Sequence, residues 1–163
     1  MEIINDIEGV IQGKSKAKAE INLWLLSIAF TLFALIISIN PALIRDNIFL
    51  SLQLTLTIPT LIHSIFARTR TSFSAHKLWY MYGYITFTIG YAFLMNVVGI
   101  LLSKLVSTQT GFIFWGVNIL LVIIVTILEF IGDKRKIKIR LIKDSFFLFI
   151  LFVGGILPVL GLL

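Results

Sequence analysis

Five long apolar runs that contain neither lysine nor arginine limit most strongly what this chain can fold into. A helix rises about 1.5 Å per residue and the hydrocarbon core of a bilayer is about 30 Å thick, so one crossing needs roughly 20 apolar residues. The runs have about this length and cover residues 21–39, 48–66, 78–102, 111–131 and 145–163. The sequence therefore predicts an all-α integral membrane protein, a bundle of about five transmembrane helices.

Composition supports this prediction and excludes other classes. The chain has 163 residues, 58% of them hydrophobic, and a mean hydropathy of +1.02. A soluble domain of this size cannot bury so much apolar surface. A transmembrane β-barrel would alternate apolar and polar residues over about ten positions, whereas these runs are continuous. The absence of cysteine from the sequence excludes disulfides, thiolate metal sites and cysteine catalysis.

The lysines and arginines predict the orientation. Counted before, between and after the five runs, they number 3, 1, 3, 1, 6 and 0. Cytoplasmic loops carry the excess of basic residues. We therefore expect a multi-pass protein of the plasma (inner) membrane with its N-terminus in the cytoplasm and its C-terminus outside. The same bias predicts that any homo-oligomer is parallel.

Residues 1–20 are expected to form a cytoplasmic amphipathic segment ahead of a transmembrane domain of residues 21–163. Apolar residues recur there at helical spacing and predict one apolar face: Ile3, Ile4, Ile7, Val10 and Ile11. The acidic first half argues against simple adsorption to anionic lipid. Contact with the chain's own bundle, a sister subunit or a cytoplasmic protein partner is the functional interpretation, and a frayed end is the alternative.

A basic stretch separates the last two runs. Its charged residues are Lys134, Arg135, Lys136, Lys138, Arg140 and Lys143. They are explained by topology alone, but they are also candidates for contact with lipid headgroups of an anionic inner leaflet or with a partner. Since the basic residues mostly lie where membrane insertion requires them, we do not expect nucleic-acid binding.

A polar face on the second run is the first candidate site. Gln53, Thr57, Thr60 and Ser64 recur at steps of four, three and four residues. They are candidates for the lining of a pore or pathway, and Pro59 among them predicts a kink. The alternative is ordinary hydrogen bonding between helices. His63, beside this face, is a possible pH-sensitive group or simply a solvated one.

The third run carries a second candidate surface. Thr88, Ala92, Asn96, Gly99 and Ser103 share one narrow face of small and polar residues. Such faces let helix backbones approach closely, so we expect helix packing there, with Asn96 bonding across. A solute-binding role for Asn96 and Tyr91 is the alternative. In the fifth run, Gly154, Gly155, Pro158 and Gly161 are expected to interrupt the helix, and a re-entrant or interfacial segment is the alternative to a full crossing.

These features lead to a function without catalysis. The eight acidic residues are scattered over the termini and loops, and no metal-binding or phosphate-binding motif is present, so we expect no enzyme activity, no metal and no cofactor. The first hypothesis is a homo-oligomeric channel or pore-forming subunit. The alternative is a non-catalytic membrane anchor or sensor that recruits a cytoplasmic partner, for example in a prokaryotic defence or signalling complex. A small-solute transporter is third.

Overall fold

The computed structural model describes residues 2–73, 76–132 and 137–162, and the side chains of residues 2–11, 132 and 137–140 lie outside the description. Every regular element in the described residues is helical. In chain order the helices are α1 (Glu2–Ile39), α2 (Ala42–Arg45), α3 (Ile48–Phe73), α4 (Lys77–Leu105), α5 (Thr108–Gly132), α6 (Ile137–Leu151), a π-helical turn (Phe152–Ile156) and α7 (Leu157–Val159). The predicted all-α fold is confirmed.

Five segments in the described residues are long and apolar enough to cross a membrane. They are Gln12–Ile39, Ile48–Phe73, Lys77–Leu105, Thr108–Ile131 and Leu141–Val159. Their number agrees with the five apolar runs. Several extend beyond the predicted bounds, since a helix continues through a few charged residues as long as its backbone hydrogen bonds are kept.

The chain divides into two compact units, residues 1–91 and 92–163. The first unit contains α1, α2, α3 and the start of α4, and the second contains the rest. The predicted division into a cytoplasmic segment of residues 1–20 and a transmembrane domain of residues 21–163 stays a prediction.

In the first unit, α1 and α3 pack antiparallel. Asn22 on α1 hydrogen-bonds to Ser64 on α3. One turn away, Lys18 on α1 and Arg68 on α3 line the same cavity. Residue numbers therefore fall along α1 where they rise along α3, which makes the two helices antiparallel. The apolar core between the helices includes fully or nearly fully buried Ala29, Ile36, Leu50, Leu54 and Leu61. Burial of such aliphatic side chains stabilises the pair by roughly 1.5–3 kcal/mol for each large one.

In the second unit, the later half of α4 packs against α5 with Trp115 at the centre. The Trp115 indole is 0% exposed, as are Val97 and Leu151. A Cβ added to Gly99 or to Gly155 would overlap the indole ring. Glycine at these two positions is therefore what allows the backbones of α4 and of the π-helical turn to approach Trp115.

The first helix differs from expectation, because the amphipathic segment and the first apolar run form one uninterrupted helix. α1 is 38 residues long. The junction reads KSKAKAE, in which alanine, lysine and glutamate all favour helix and no proline intervenes. The amphipathic pattern therefore continues the transmembrane candidate instead of forming a separate element.

The last long segment is interrupted, as its glycines and proline predict. The Leu157 N–H donates to the Phe152 carbonyl, five residues earlier, which defines the π-helical turn. Pro158 follows and has no N–H with which to continue the α-helical pattern. Gly161 ends the segment with a φ of 71°, in the left-handed region that favours glycine.

Candidate functional site

The predicted polar face of α3 lies inside the first unit. Gln53, Thr57 and Ser64 are buried and Thr60 is half-buried. The Thr57 hydroxyl donates to the Gln53 carbonyl at 2.7 Å, and the Thr60 hydroxyl lies 2.7 Å from the Leu56 carbonyl. These hydroxyls therefore have acceptors within their own helix. The structure places all four residues on one side of α3, and their role in lining a pathway stays a prediction.

A hydrogen-bonded chain joins three helices at Ser64. The Asn22 side-chain amide donates to the Ser64 hydroxyl at 2.7 Å, and that hydroxyl donates to the Gly83 carbonyl at 2.8 Å. Gly83 permits this approach, since an added Cβ would lie 3.0 Å from Cβ of Ala67. Of the four residues of the polar face, Ser64 is thus the one whose hydroxyl bonds to α1 on one side and to α4 on the other.

His63 lies just outside this chain, in an aromatic group. Its Nδ1 is 2.9 Å from the Tyr82 hydroxyl, and the two rings meet edge to face with centroids 6.2 Å apart. Trp79 contacts the Tyr82 ring in the same manner at 6.2 Å. Both His63 and Tyr82 are exposed on the surface of the first unit. The pH sensitivity of His63 stays a prediction.

Arg68 is buried in the same unit, a position that sequence reasoning treated only as loop charge. Its relative exposure is 1%, and its Nε and Nη1 atoms have no hydrogen-bond partner. The guanidinium lies 5.0 Å from the centre of the Tyr80 ring. The signal was present in the sequence, because Arg68 is four residues beyond Ser64 and extends the polar face, and Thr71, three residues further on, is also buried.

A cavity opens beside Arg68. It has a volume of about 170 Å³ and is lined by Lys18, Ile21, Asn22, Arg68, Tyr84 and Phe87. The Lys18 ammonium lies 5.7 Å from the Tyr80 ring centre, so two cations contact one aromatic ring. A ring face attracts cations. The residues lining this cavity carry two positive charges and no carboxylate.

The predicted packing face of α4 is buried along its length: Thr88, Ala92, Asn96, Gly99 and Ser103. In the second unit, the Asn96 amide donates to the Ile150 carbonyl at 3.1 Å. The Asn96 Oδ1 and Trp115 Nε1 atoms are buried without hydrogen-bond partners, and a Cβ on Gly155 would overlap both side chains. Trp115 is the central residue that the sequence pattern did not single out.

Asp144 and Thr126 form another contact that sequence reasoning missed. The Thr126 hydroxyl lies 2.5 Å from an Asp144 carboxylate oxygen and 2.8 Å from the Val122 carbonyl. Asp144 directly precedes the fifth apolar run and falls within the longer helical segment Leu141–Val159. This hydrogen bond joins α5 to α6. Because its acceptor is a carboxylate, it is stronger than a hydrogen bond between two neutral groups.

The basic stretch after α5 is largely outside the described residues. The structure gives no placement for Lys134, Arg135 and Lys136, and the side chains of Lys138 and Arg140 are also outside the description. Lys143 is described and half-buried. Contact of this stretch with headgroups or a partner stays a prediction.

Known proteins do not add a family or a function. Comparison of the chain with protein-family models, curated proteins and solved structures gives no match. Within the described residues, no group of three or more histidine, cysteine, aspartate or glutamate side chains is placed to hold a metal ion.

Proposed function

We propose that this chain is a non-catalytic, multi-pass membrane protein that recruits a cytoplasmic partner through the N-terminal part of α1. The membrane location is supported by five long apolar helices and by large apolar side chains on their outer surfaces. Trp24 is 74% exposed, Ile113 66% and Leu128 62%. Large apolar side chains exposed on membrane-length helices are unfavourable in water and are what lipid solvates.

The single observation that carries the proposal is the continuity of α1. At about 1.5 Å per residue, a helix of 38 residues is about 57 Å long, nearly twice the thickness of the hydrocarbon core. The apolar run within this helix covers residues 21–39, which is enough for one crossing. The same helix therefore continues for several turns before the apolar run, on the side that the expected topology places in the cytoplasm.

The packing of α1 just ahead of its apolar run also favours recognition over a frayed end. Ser15 is 0% exposed, so α1 is packed against the rest of the first unit at this point. An apolar helix face presented on a fixed helix is a common recognition surface, because little conformational freedom is lost when a partner groove binds it.

Paired variants test this function. Ile7→Asp places a charge on the apolar face, whereas Asn5→Asp adds a similar charge two residues away on the polar side. A photo-reactive residue at position 4, in the full-length protein in native membranes, should cross-link one discrete protein. Ile7→Asp should abolish the product and Asn5→Asp should retain it, with equal membrane insertion. An identical product from both variants would contradict the proposal.

A homo-oligomeric pore is the second candidate, and the continuous polar face of α3 is the observation that favours it. Because Ser64 bonds to Gly83 and Asn22 within one chain, a water path along this face requires α1 or α4 to separate from α3. Replacing Gln53 and Thr57 with leucine should abolish ion flux through purified protein in liposomes. If the unaltered protein conducts no ions, the pore is excluded.

A further inference from the structure

Arg68 is a charged side chain in a place where an unbalanced charge is costly. It is 1% exposed, and two of its three guanidinium nitrogens have no hydrogen-bond partner. Buried charges in proteins are normally paired and hydrogen-bonded, since removal from water is otherwise unfavourable. In the structure the centre of the Tyr80 ring lies 5.0 Å from the guanidinium, and a ring face attracts a cation.

A second cation increases the positive charge at this place. The Lys18 ammonium approaches the same Tyr80 ring at 5.7 Å, against 5.0 Å for the Arg68 guanidinium. Like charges held near one another repel, and an anion between or beside them would be attracted to both. The lining of the adjacent cavity includes Lys18 and Arg68 together with the amide of Asn22 and with Tyr84, and it has no acidic side chain.

We propose that this cavity binds a phosphate group, most readily that of a phospholipid headgroup. The guanidinium of Arg68 carries charged N–H donors of the kind that bind phosphate oxygens, and two of its nitrogens, Nε and Nη1, are left without partners. A volume of about 170 Å³ is several times the ~30 Å³ that one water occupies. A phosphate group therefore fits with room for water.

The position along the helices favours a lipid phosphate. Lys18 lies near the start of the first candidate membrane segment, and Arg68 near the end of the second. The same ends carry Lys16, Arg70 and Lys77. Such ends lie at the level of the headgroups. Ile21 and Phe87, one to two turns further along α1 and α4, give the cavity an apolar wall suited to the start of an acyl chain.

The preference for lipid rests on the proposed membrane location, whereas phosphate binding itself does not. A binding experiment in detergent therefore separates the two. Purified, delipidated full-length protein is titrated with short-chain phosphatidylglycerol, with inorganic phosphate and with short-chain diacylglycerol, and binding is followed by native mass spectrometry and by competition. Phosphatidylglycerol should bind, inorganic phosphate should compete, and diacylglycerol, which lacks the phosphate, should not bind.

Arg68→Met and Arg70→Met are the matched variants. Arg70 is two residues away and exposed, so it controls for general surface charge. Loss of charge-assisted hydrogen bonds should weaken phosphatidylglycerol binding about tenfold to a hundredfold in Arg68→Met, while Arg70→Met stays within about twofold of the unaltered protein. Without ligand, Arg68→Met should unfold at the same temperature as the unaltered protein or higher, because it removes a buried charge whose Nε and Nη1 atoms have no hydrogen-bond partner.

Lys18→Gln gives a second measurement at a half-buried position, and we expect it to weaken binding about tenfold by removing one of two cations. Tighter binding of inorganic phosphate than of lipid would support a soluble phosphate ligand at the same site. Equal binding of diacylglycerol, an equal loss in Arg70→Met, or unchanged binding in both Arg68→Met and Lys18→Gln would overturn the proposal.

Discussion

Asn22 on α1 donates a hydrogen bond of 2.7 Å to the hydroxyl of Ser64 on α3. The same hydroxyl donates to the Gly83 carbonyl of α4, so Ser64 accepts a hydrogen bond from α1 and donates one to α4. Asn22 is 1% exposed and Ser64 0%. This pair fixes the register of α1 against α3 more specifically than the aliphatic contacts around it, which tolerate sliding.

Removing this hydroxyl should destabilise the first unit. Ser64→Ala leaves the Asn22 amide without its acceptor and removes the side-chain donor to the Gly83 carbonyl, at an expected cost of about 1–2 kcal/mol. The measurement is unfolding in mixed detergent micelles. Ser38→Ala is the control, since that hydroxyl is exposed and bonds only to the Ala34 carbonyl of its own helix, and its effect should stay within about 0.5 kcal/mol.

A double-mutant cycle with Asn22→Ala separates the pair from its surroundings. If the two side chains interact as described, their coupling free energy should be about 0.5–1.5 kcal/mol. A coupling near zero would mean that the bond contributes nothing to stability, and the register would then depend on apolar packing alone.

Gly99 is expected to tolerate no side chain. Gly99→Ala places a methyl group against the Trp115 indole and should cost about 1–3 kcal/mol, the usual range for an overfilled core. At Gly116 an added Cβ meets nothing within 4 Å, so Gly116→Ala should be neutral or should stabilise by up to about 1 kcal/mol, since alanine favours helix.

The same overlap predicts a compensating change. Trp115→Phe removes part of the indole, so Gly99→Ala should cost less in the Trp115→Phe background than in the unaltered protein. Additive losses in the double variant, measured by thermal unfolding in detergent, would indicate that Gly99 is required for a reason other than its approach to Trp115.

The bond between Thr126 and Asp144 should contribute to the packing of α5 on α6. Thr126→Val keeps the shape but removes the donor, and we expect a loss of about 1.5–3 kcal/mol because the acceptor is a carboxylate. Thr31→Val is the comparison, since the Thr31 hydroxyl is exposed and bonds within its own helix. Similar losses in the two variants would contradict a special contribution from Asp144.

The proposed orientation can be tested directly because the chain has no cysteine. Single variants Asn40→Cys and Leu162→Cys should react with a membrane-impermeant maleimide in intact cells. Ser72→Cys should react only after the membrane is opened. Labelling of Leu162→Cys only in opened cells would place the C-terminus in the cytoplasm and contradict the expected topology for the last segment.

The number of membrane-length helical segments could be predicted from the sequence, because a bilayer crossing imposes a minimum length that an apolar run either has or lacks. The faces of α3 and α4 could be predicted as well, since helical spacing brings Gln53 and Ser64, or Asn96 and Gly99, to one side. The spacing of residues along one helix does not show which neighbouring helix packs against each face. The hydrogen bond between Asn22 and Ser64 could therefore not be predicted from the sequence.

Charged residues caused the other differences. Apolar runs were ended at Phe66 and begun at Ser145 because Arg68 and Asp144 were assigned to loops. In the structure, α3 continues through Arg68 to Phe73, and Asp144 lies within α6. An arginine can lie against an aromatic ring of a neighbouring helix, as Arg68 does against Tyr80, and an aspartate can bond to a nearby hydroxyl, as Asp144 does to Thr126. Hydropathy alone does not distinguish such residues from loop residues.

The bond from the Leu157 N–H to the Phe152 carbonyl adds one residue to a single turn of the last long segment. Each residue of an α-helix rotates the direction of its side chains by about 100°, so the extra residue re-aims every side chain that follows. Leu160 consequently faces a different quadrant from the one that an unbroken helix would give it. Deleting one residue within this turn would keep the helix and rotate its tip, offering the membrane or a neighbour a different set of atoms.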